Sequence, residues 1–148
     1  MEKVLVTGCS GFIGMHICKK LLGEGFKVCG IDNMSDYYSV DLKKTRLNIL
    51  QKDRSFYFKQ VDLLDKKSVE KVFYEFQPDK VINLAAQAGV RYSLDNPALY
   101  ANTNINGFLN IMEAAKDFKV EGVVYASSSS VYGNNESVTL DEKAMLNK

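Results

Sequence analysis

The stretch KVLVTGCSGFIG, residues 3–14, passes from an apolar β-rich run through a glycine-rich turn into a helical pattern. Lys3–Thr7 reads as a short buried strand. Phe12–Leu22 carries Ile13, Ile17, Leu21 and Leu22 on one side at helical spacing. Gly23 and Gly25 then stop the helix, as glycine commonly does beyond a helix C-terminus. The alternation repeats along the chain. Phe26–Asp32 reads as a second strand, Asp41–Leu50 as a helix, Phe56–Val61 as a third strand and Asp65–Phe76 as a helix begun by Asp and Ser. Lys80–Ala86 reads as a fourth strand, Asn96–Phe118 as one long helix and GVVYAS, residues 122–127, as a fifth strand. Such spacing calls for right-handed crossovers and a parallel sheet with helices on both faces, an α/β fold. Pro78 and Pro97 stand at element starts, where a missing N–H is tolerated. The last dozen residues, SVTLDEKAMLNK, find no partner element and read as the opening of something unfinished.

Bulk properties narrow the function classes. With 148 residues the chain can bury one core and needs no second domain. A net charge of +1, with Lys and Glu scattered, leaves no electrostatic footprint for nucleic acid. The opening MEKVLVTG is no signal peptide, and no run approaches the roughly eighteen apolar residues that span a bilayer. No membrane association is expected. Cys9, Cys18 and Cys29 lack metal-ligand spacing, and the single His16 cannot complete a metal site with them. Reduced thiols in a cytoplasmic protein are the expectation.

The glycine turn supplies the first functional residues. Gly8, Gly11 and Gly14 follow a strand and open a helix, the context that makes a glycine triplet informative. Gly8 permits the tight turn, Gly11 lets the backbone approach a pyrophosphate, and Gly14 lets the helix pack on the sheet. The anion then meets unpaired N–H groups at the positive end of the helix dipole. Asp32 ends the second strand, where a carboxylate accepts both ribose hydroxyls of an adenosine and repels a 2′-phosphate. Asn33, not Arg, follows it, so NAD is favoured over NADP. Asp62 closes the third strand, placed to hold the adenine amino group, with Leu63 beside it. Leu84, Ala85 and Ala86 close the fourth with small side chains that leave room for a cofactor. Phe12 and Ile13, at the helix start, complete the candidate set on the carboxyl edge of a Rossmann-type doubly wound sheet.

The motifs TGCSGFIG, GIDN, VDLLD, NLAAQAGVRYS, NTNING and YASSSSVYG together resemble the extended short-chain dehydrogenase/reductase family. Within it the chain is similar to NAD-dependent nucleotide-sugar epimerases and dehydratases. IDNMSDYYSVDLKKTRL, LAAQAGVRYSLDNP and YASSSSVYG are most similar to UDP-glucuronate 4-epimerases. The resemblance runs from residue 3 to about residue 139.

The resemblance implies a chemistry and further residues. In such epimerases a tyrosine deprotonates the sugar 4-hydroxyl while the carbon below gives hydride to NAD. The 4-keto sugar rotates, and hydride returns to its other face. A Ser or Thr hydrogen-bonds the oxygen, and a lysine four positions after the tyrosine lowers its pKa. Ser128 matches the catalytic hydroxyl, with Ser127 and Ser129 flanking it, one near the cofactor and one near the sugar. Read without the family, those serines equally end a strand with local side-chain to backbone bonds. Asn104 corresponds to an asparagine near cofactor and substrate. Arg91, Tyr92 and Ser93 follow the fourth strand, where a loop meets the sugar nucleotide; Arg91 pairs with an acidic group or stands in solvent.

The family's YxxxK pair is missing. None of the eight tyrosines is followed four positions on by lysine. The chain therefore reads as an incomplete NAD-binding Rossmann domain over residues 1–148, truncated after about the fifth strand and lacking a C-terminal substrate domain. It is expected to be inactive alone, and its UDP-glucuronate-like substrate to bind only the complete enzyme. The long helix implies a homo-oligomer, with Phe108, Ile111 and Met112 exposed. A non-catalytic dinucleotide-binding or sensor domain, and part of a dTDP-glucose 4,6-dehydratase-like enzyme, are the competing readings.

Overall fold

The computed structural model describes residues 1–133, so the expectation for the last dozen residues lies outside the described part. Five strands form one parallel sheet in the order β3-β2-β1-β4-β5. They are β1 (Lys3–Thr7), β2 (Lys27–Asp32), β3 (Phe56–Gln60), β4 (Lys80–Asn83) and β5 (Gly122–Tyr125). The first three strands run outward in one direction from β1 and the last two in the other. A switch of strand order thus falls between β1 and β4, where open α/β sheets form their ligand crevice.

Strand alternation divides the core in two. On one face Leu5, Cys29, Ile31 and Val81 pack with Val69, Val72 and Phe73 of α3 (Lys66–Phe76). Ile111, Ala114 and Ala115 of a second helix join them from the end of the long helical segment. On the other face Val4, Val6 and Val28 pack with Cys18 of α1 (Phe12–Gly23) and with Leu47 and Leu50 of α2 (Val40–Leu50). The side chain of Asp65 caps α3 by accepting the Ser68 amide at 3.2 Å, and Ser39 caps α2 through the Leu42 amide at 3.3 Å.

Several expectations need correction. Helix α1 buries Gly14 and Cys18, while Ile13 is 59% exposed, so Ile13 leaves the apolar side it was expected to share with Leu21 and Leu22 and stands at the carboxyl edge with the other candidates. Strand β4 stops at Asn83, not Ala86, because the Thr7 hydroxyl captures the Leu84 and Ala85 amides that a longer ladder would use. Strand β5 stops at Tyr125, since Ser128 caps the 3₁₀ turn Ser129–Tyr132.

The long helix is not uniform either. A separate helix α4 (Val90–Asp95) precedes it, Pro97 opens α5 (Pro97–Ala101), and a π-helical turn Asn102–Gly107 leads into α6 (Phe108–Asp117). The asparagine-rich NTNING holds helical bonds poorly, and one wider turn accommodates it. On α6, Ile111 is fully buried and Phe108 packs edge-on against Tyr125 with centroids 5.2 Å apart. From the π turn through α6 the exposed large apolar positions are Ile105, Leu109 and Met112. No helix among the described residues is long and apolar enough to cross a membrane.

Candidate functional site

The turn after β1 is built around Thr7, whose buried Oγ1 donates to Asn83 Oδ1 at 2.7 Å and accepts the Leu84 and Ala85 amides at 3.1 and 2.9 Å. This stitches the end of β1 to the end of β4 and draws the two backbones together at the switch point. Gly8 has φ +67°, and a Cβ there would come within 3.0 Å of the Ala85 amide nitrogen. A Cβ on Gly14 would collide with the Gly8 carbonyl oxygen and with Cys9. Both positions therefore exclude a side chain.

The amides of the turn divide into used and free. Gly8 and Cys9 donate to Ile31 O, Gly11 donates to Gly8 O, and Ser10 donates to Asp32 Oδ2 at 3.1 Å. Among the described residues, the Phe12, Ile13 and Gly14 amides at the start of α1 have no such partner. They are the orphan donors of a helix N-terminus, and no acidic side chain occupies the first turn.

Asp32 is buried, at 7% exposure, and its second oxygen accepts the Met34 amide at 2.8 Å. Each carboxylate oxygen keeps a further acceptor site. Beside it lies Lys43, also buried, with Nζ 3.8 Å from Asp32 Oδ1. Asn33 donates to Asp62 Oδ2 at 3.1 Å, and Asp62 Oδ1 accepts the Leu64 amide. Burial pushes the Tyr38 phenol above its ordinary pKa; the Asp32 charge acts in the same sense and the Arg46 guanidinium opposes both.

These groups surround one cavity of about 550 Å³ along the carboxyl ends of β2, β1 and β4. Gly8, Gly11, Phe12, Ile13, Gly14, Asp32, Asn33, Asp62, Leu63, Leu84, Ala85 and Ala86 all line it. Its dimensions suit a dinucleotide-sized ligand, with orphan amides in the middle, a carboxylate at one end and alanines at the other. NAD fits this donor and acceptor set.

Five candidates stand outside that lining. Asn104 lies on the π turn and clamps the Gln87 backbone, accepting its N–H at 2.8 Å and donating to its carbonyl at 2.9 Å. Arg91 is exposed on α4, where Tyr92 faces the cavity instead. Ser127 and Ser129 are exposed, and the Ser128 side chain accepts the Ser130 amide at 3.2 Å. Ala126, just before the serines, is the cavity residue of that segment.

The family model described as GDP-mannose 4,6 dehydratase matches residues 5–147. The chain belongs to that family. Protein CapI of Staphylococcus aureus is 51% identical over 135 residues, covering 91% of this chain and 40% of its own length. The UDP-glucuronate 4-epimerase of Thermodesulfobacterium geofontis is 48% identical over 132 residues, covering 89% and 41%. The UDP-glucuronic acid 4-epimerase of Bacillus cereus, solved in complex with UDP-glucuronic acid and NAD, superposes with a TM-score of 0.86 at 33% identity. That match covers 98% of this chain and 46% of the other. The chain thus spans about 40% of the length of the curated relatives it matches. Membership of the family agrees with the resemblance carried by TGCSGFIG, AAQAGVRYS and YASSSSVYG.

Within this family member, several cavity residues were not among the candidates: Lys43, Ser35, Tyr37, Tyr38 and Gln87. Lys43 left a signal in the sequence. It stands four and seven positions before Leu47 and Leu50, at the head of the buried face of α2, where a lysine is out of place. The tyrosines left none. Tyr37 packs against Tyr92 with the rings tilted and centroids 5.0 Å apart, joining the β2–α2 loop to α4, a contact that only the folded sheet creates.

Proposed function

We propose that the chain is the NAD-binding part of a nucleotide-sugar 4-epimerase resembling the UDP-glucuronate 4-epimerases. The observation that carries the reading is a single cavity that joins the free amides of Phe12, Ile13 and Gly14 to the Asp32 carboxylate and to Ala85 and Ala86. The amides take the pyrophosphate, where the helix dipole favours negative charge. Asp32 accepts the adenosine ribose hydroxyls and disfavours a 2′-phosphate by charge repulsion. Asp62 and Leu63 flank the adenine, and the alanines leave room for the nicotinamide end. Bound NAD supplies the hydride acceptor and donor of the epimerisation. Asn104 acts indirectly, by holding the Gln87 backbone beside the cavity.

Ser128 offers its hydroxyl to the sugar oxygen beyond β5, with Ser127 on the cofactor side, and Ser129 and Arg91 toward the sugar nucleotide. YxxxK is absent from these 148 residues, so the chain alone turns over no sugar. We place it in the cytoplasm, in a complete enzyme that self-associates through the helical segment 96–118, where Ile105, Leu109 and Met112 are exposed. The description of the matched family favours one other reading, a 4,6-dehydratase, which would use the same cofactor cavity.

The test is incubation of the purified chain with NAD and UDP-glucuronate. No epimer forms, while NAD at about a hundred times its Kd stabilises the fold by about 2.7 kcal/mol, a rise of several degrees in Tm. Turnover of the sugar by the chain alone would refute the inactivity, and an unmoved Tm would refute the cofactor reading.

A further inference from the structure

We propose that Lys43 is a positioning residue for the adenosine ribose: its buried ammonium holds the loop after β2 in the conformation that offers Asp32 to the ribose hydroxyls. The inference rests on the NAD reading above and deepens it.

Lysine is almost never fully buried unless it is paired, yet Lys43 is 4% exposed. Its Nζ donates to Ser35 O at 2.9 Å and to Ser35 Oγ at 3.2 Å, and lies 3.8 Å from Asp32 Oδ1. The Tyr38 ring covers the ammonium, with its centroid 4.7 Å away. Two of the ammonium's three donors are spent on Ser35, and its charge faces the Asp32 carboxylate beyond hydrogen-bond distance. Lys43 therefore acts through the groups it holds.

The loop it holds is strained. Met34 has φ +58°, a conformation that a long side chain rarely adopts. Such strain persists only where the surroundings over-determine it. Three contacts do so here: Asp32 Oδ1 takes the Met34 amide, Asn33 Oδ1 takes the Ser35 amide, and Lys43 grips Ser35 from outside the loop. Without the ammonium only the two local side-chain bonds oppose the relaxation of Met34 to negative φ, and the strain acts against them. Its N–H then leaves Asp32 Oδ1, and the carboxylate loses the contact that orients this oxygen toward the cavity. Asp32, Asn33, Ser35, Tyr38 and Lys43 all line that cavity, so the whole ribose end depends on the brace.

The experiment is calorimetric titration of NAD into the 148-residue chain and its variants Lys43→Met, Lys43→Met with Met34→Gly, and Ser35→Ala. Lys43→Met weakens NAD binding about tenfold or more through lost charge-assisted bonds. Glycine at position 34 takes positive φ without strain, so the double variant recovers part of that affinity. Ser35→Ala removes one acceptor only and weakens binding about two- to fivefold at unchanged Tm, which keeps the test open if Lys43→Met does not fold. A Lys43→Met chain that melts earlier but binds NAD at wild-type affinity overturns the inference, as does a Ser35→Ala chain of undiminished affinity. A wild-type chain that binds no NAD overturns the cofactor reading and this inference together.

Discussion

At the scale of single residues, the site is set by where side chains are forbidden and where charges are buried. Gly14→Ala forces a Cβ against the Gly8 carbonyl, a backbone obstacle that cannot rotate away. The expected result is about 1–3 kcal/mol of destabilisation, measured by urea unfolding, together with loss of NAD binding. Gly8, Gly14 and Asp32 were legible in the sequence because local geometry dictates them: a turn after a strand, a close helix, a carboxylate at a strand end. Lys43 was legible only as an anomaly, a cation at the head of an apolar helix face. Its partner Ser35 comes from a loop whose path depends on the strained Met34, and no local rule predicts that path.

At the scale of elements, the ends of strands matter more than their middles. Thr7→Val keeps the shape of the side chain but leaves Asn83 Oδ1 and two amides without their partner. About 1–3 kcal/mol of stability should be lost, read as a lower urea midpoint at unchanged m-value. The strand pattern of KVINLAA runs on to Ala86, but it cannot show that a hydroxyl 77 residues away takes the Leu84 amide and ends the ladder. The helix pattern across residues 96–118 likewise hides the π turn, since its apolar residues continue through it. That turn directs Asn104 at Gln87. Asn104→Ala removes both bonds to an exposed backbone segment, so stability should fall by under about 1 kcal/mol while NAD affinity drops severalfold. An affinity equal to wild type would remove Asn104 from the account.

At the scale of the whole molecule, the core carries three buried cysteines: Cys9 in the glycine turn and Cys18 on α1 in one half, and Cys29 on β2 in the other. Burial pushes the Cys18 and Cys29 thiols up to about 12, and that of Cys9 higher still. The folded chain therefore keeps them protonated above the ordinary thiol value of 9.0, where the unfolded chain ionises them. The unfolded state then binds fewer protons, so their contribution to stability is fully present below 9.0 and falls as pH rises toward 12. Thermal melts at rising alkaline pH should fall less steeply for Cys18→Ala than for the wild type; equal slopes would contradict this.

The family, the parallel sheet and the cavity at its switch point converge on one claim, that this chain holds NAD across the carboxyl ends of β2, β1 and β4. Calorimetric titration of NAD into the wild-type chain and into Asp32→Ala tests it most directly. A single saturable site in the wild type, weakened at least about tenfold in Asp32→Ala by loss of the charged acceptor, is the predicted result. No binding by the folded wild type, or equal affinity in the two chains, would contradict it.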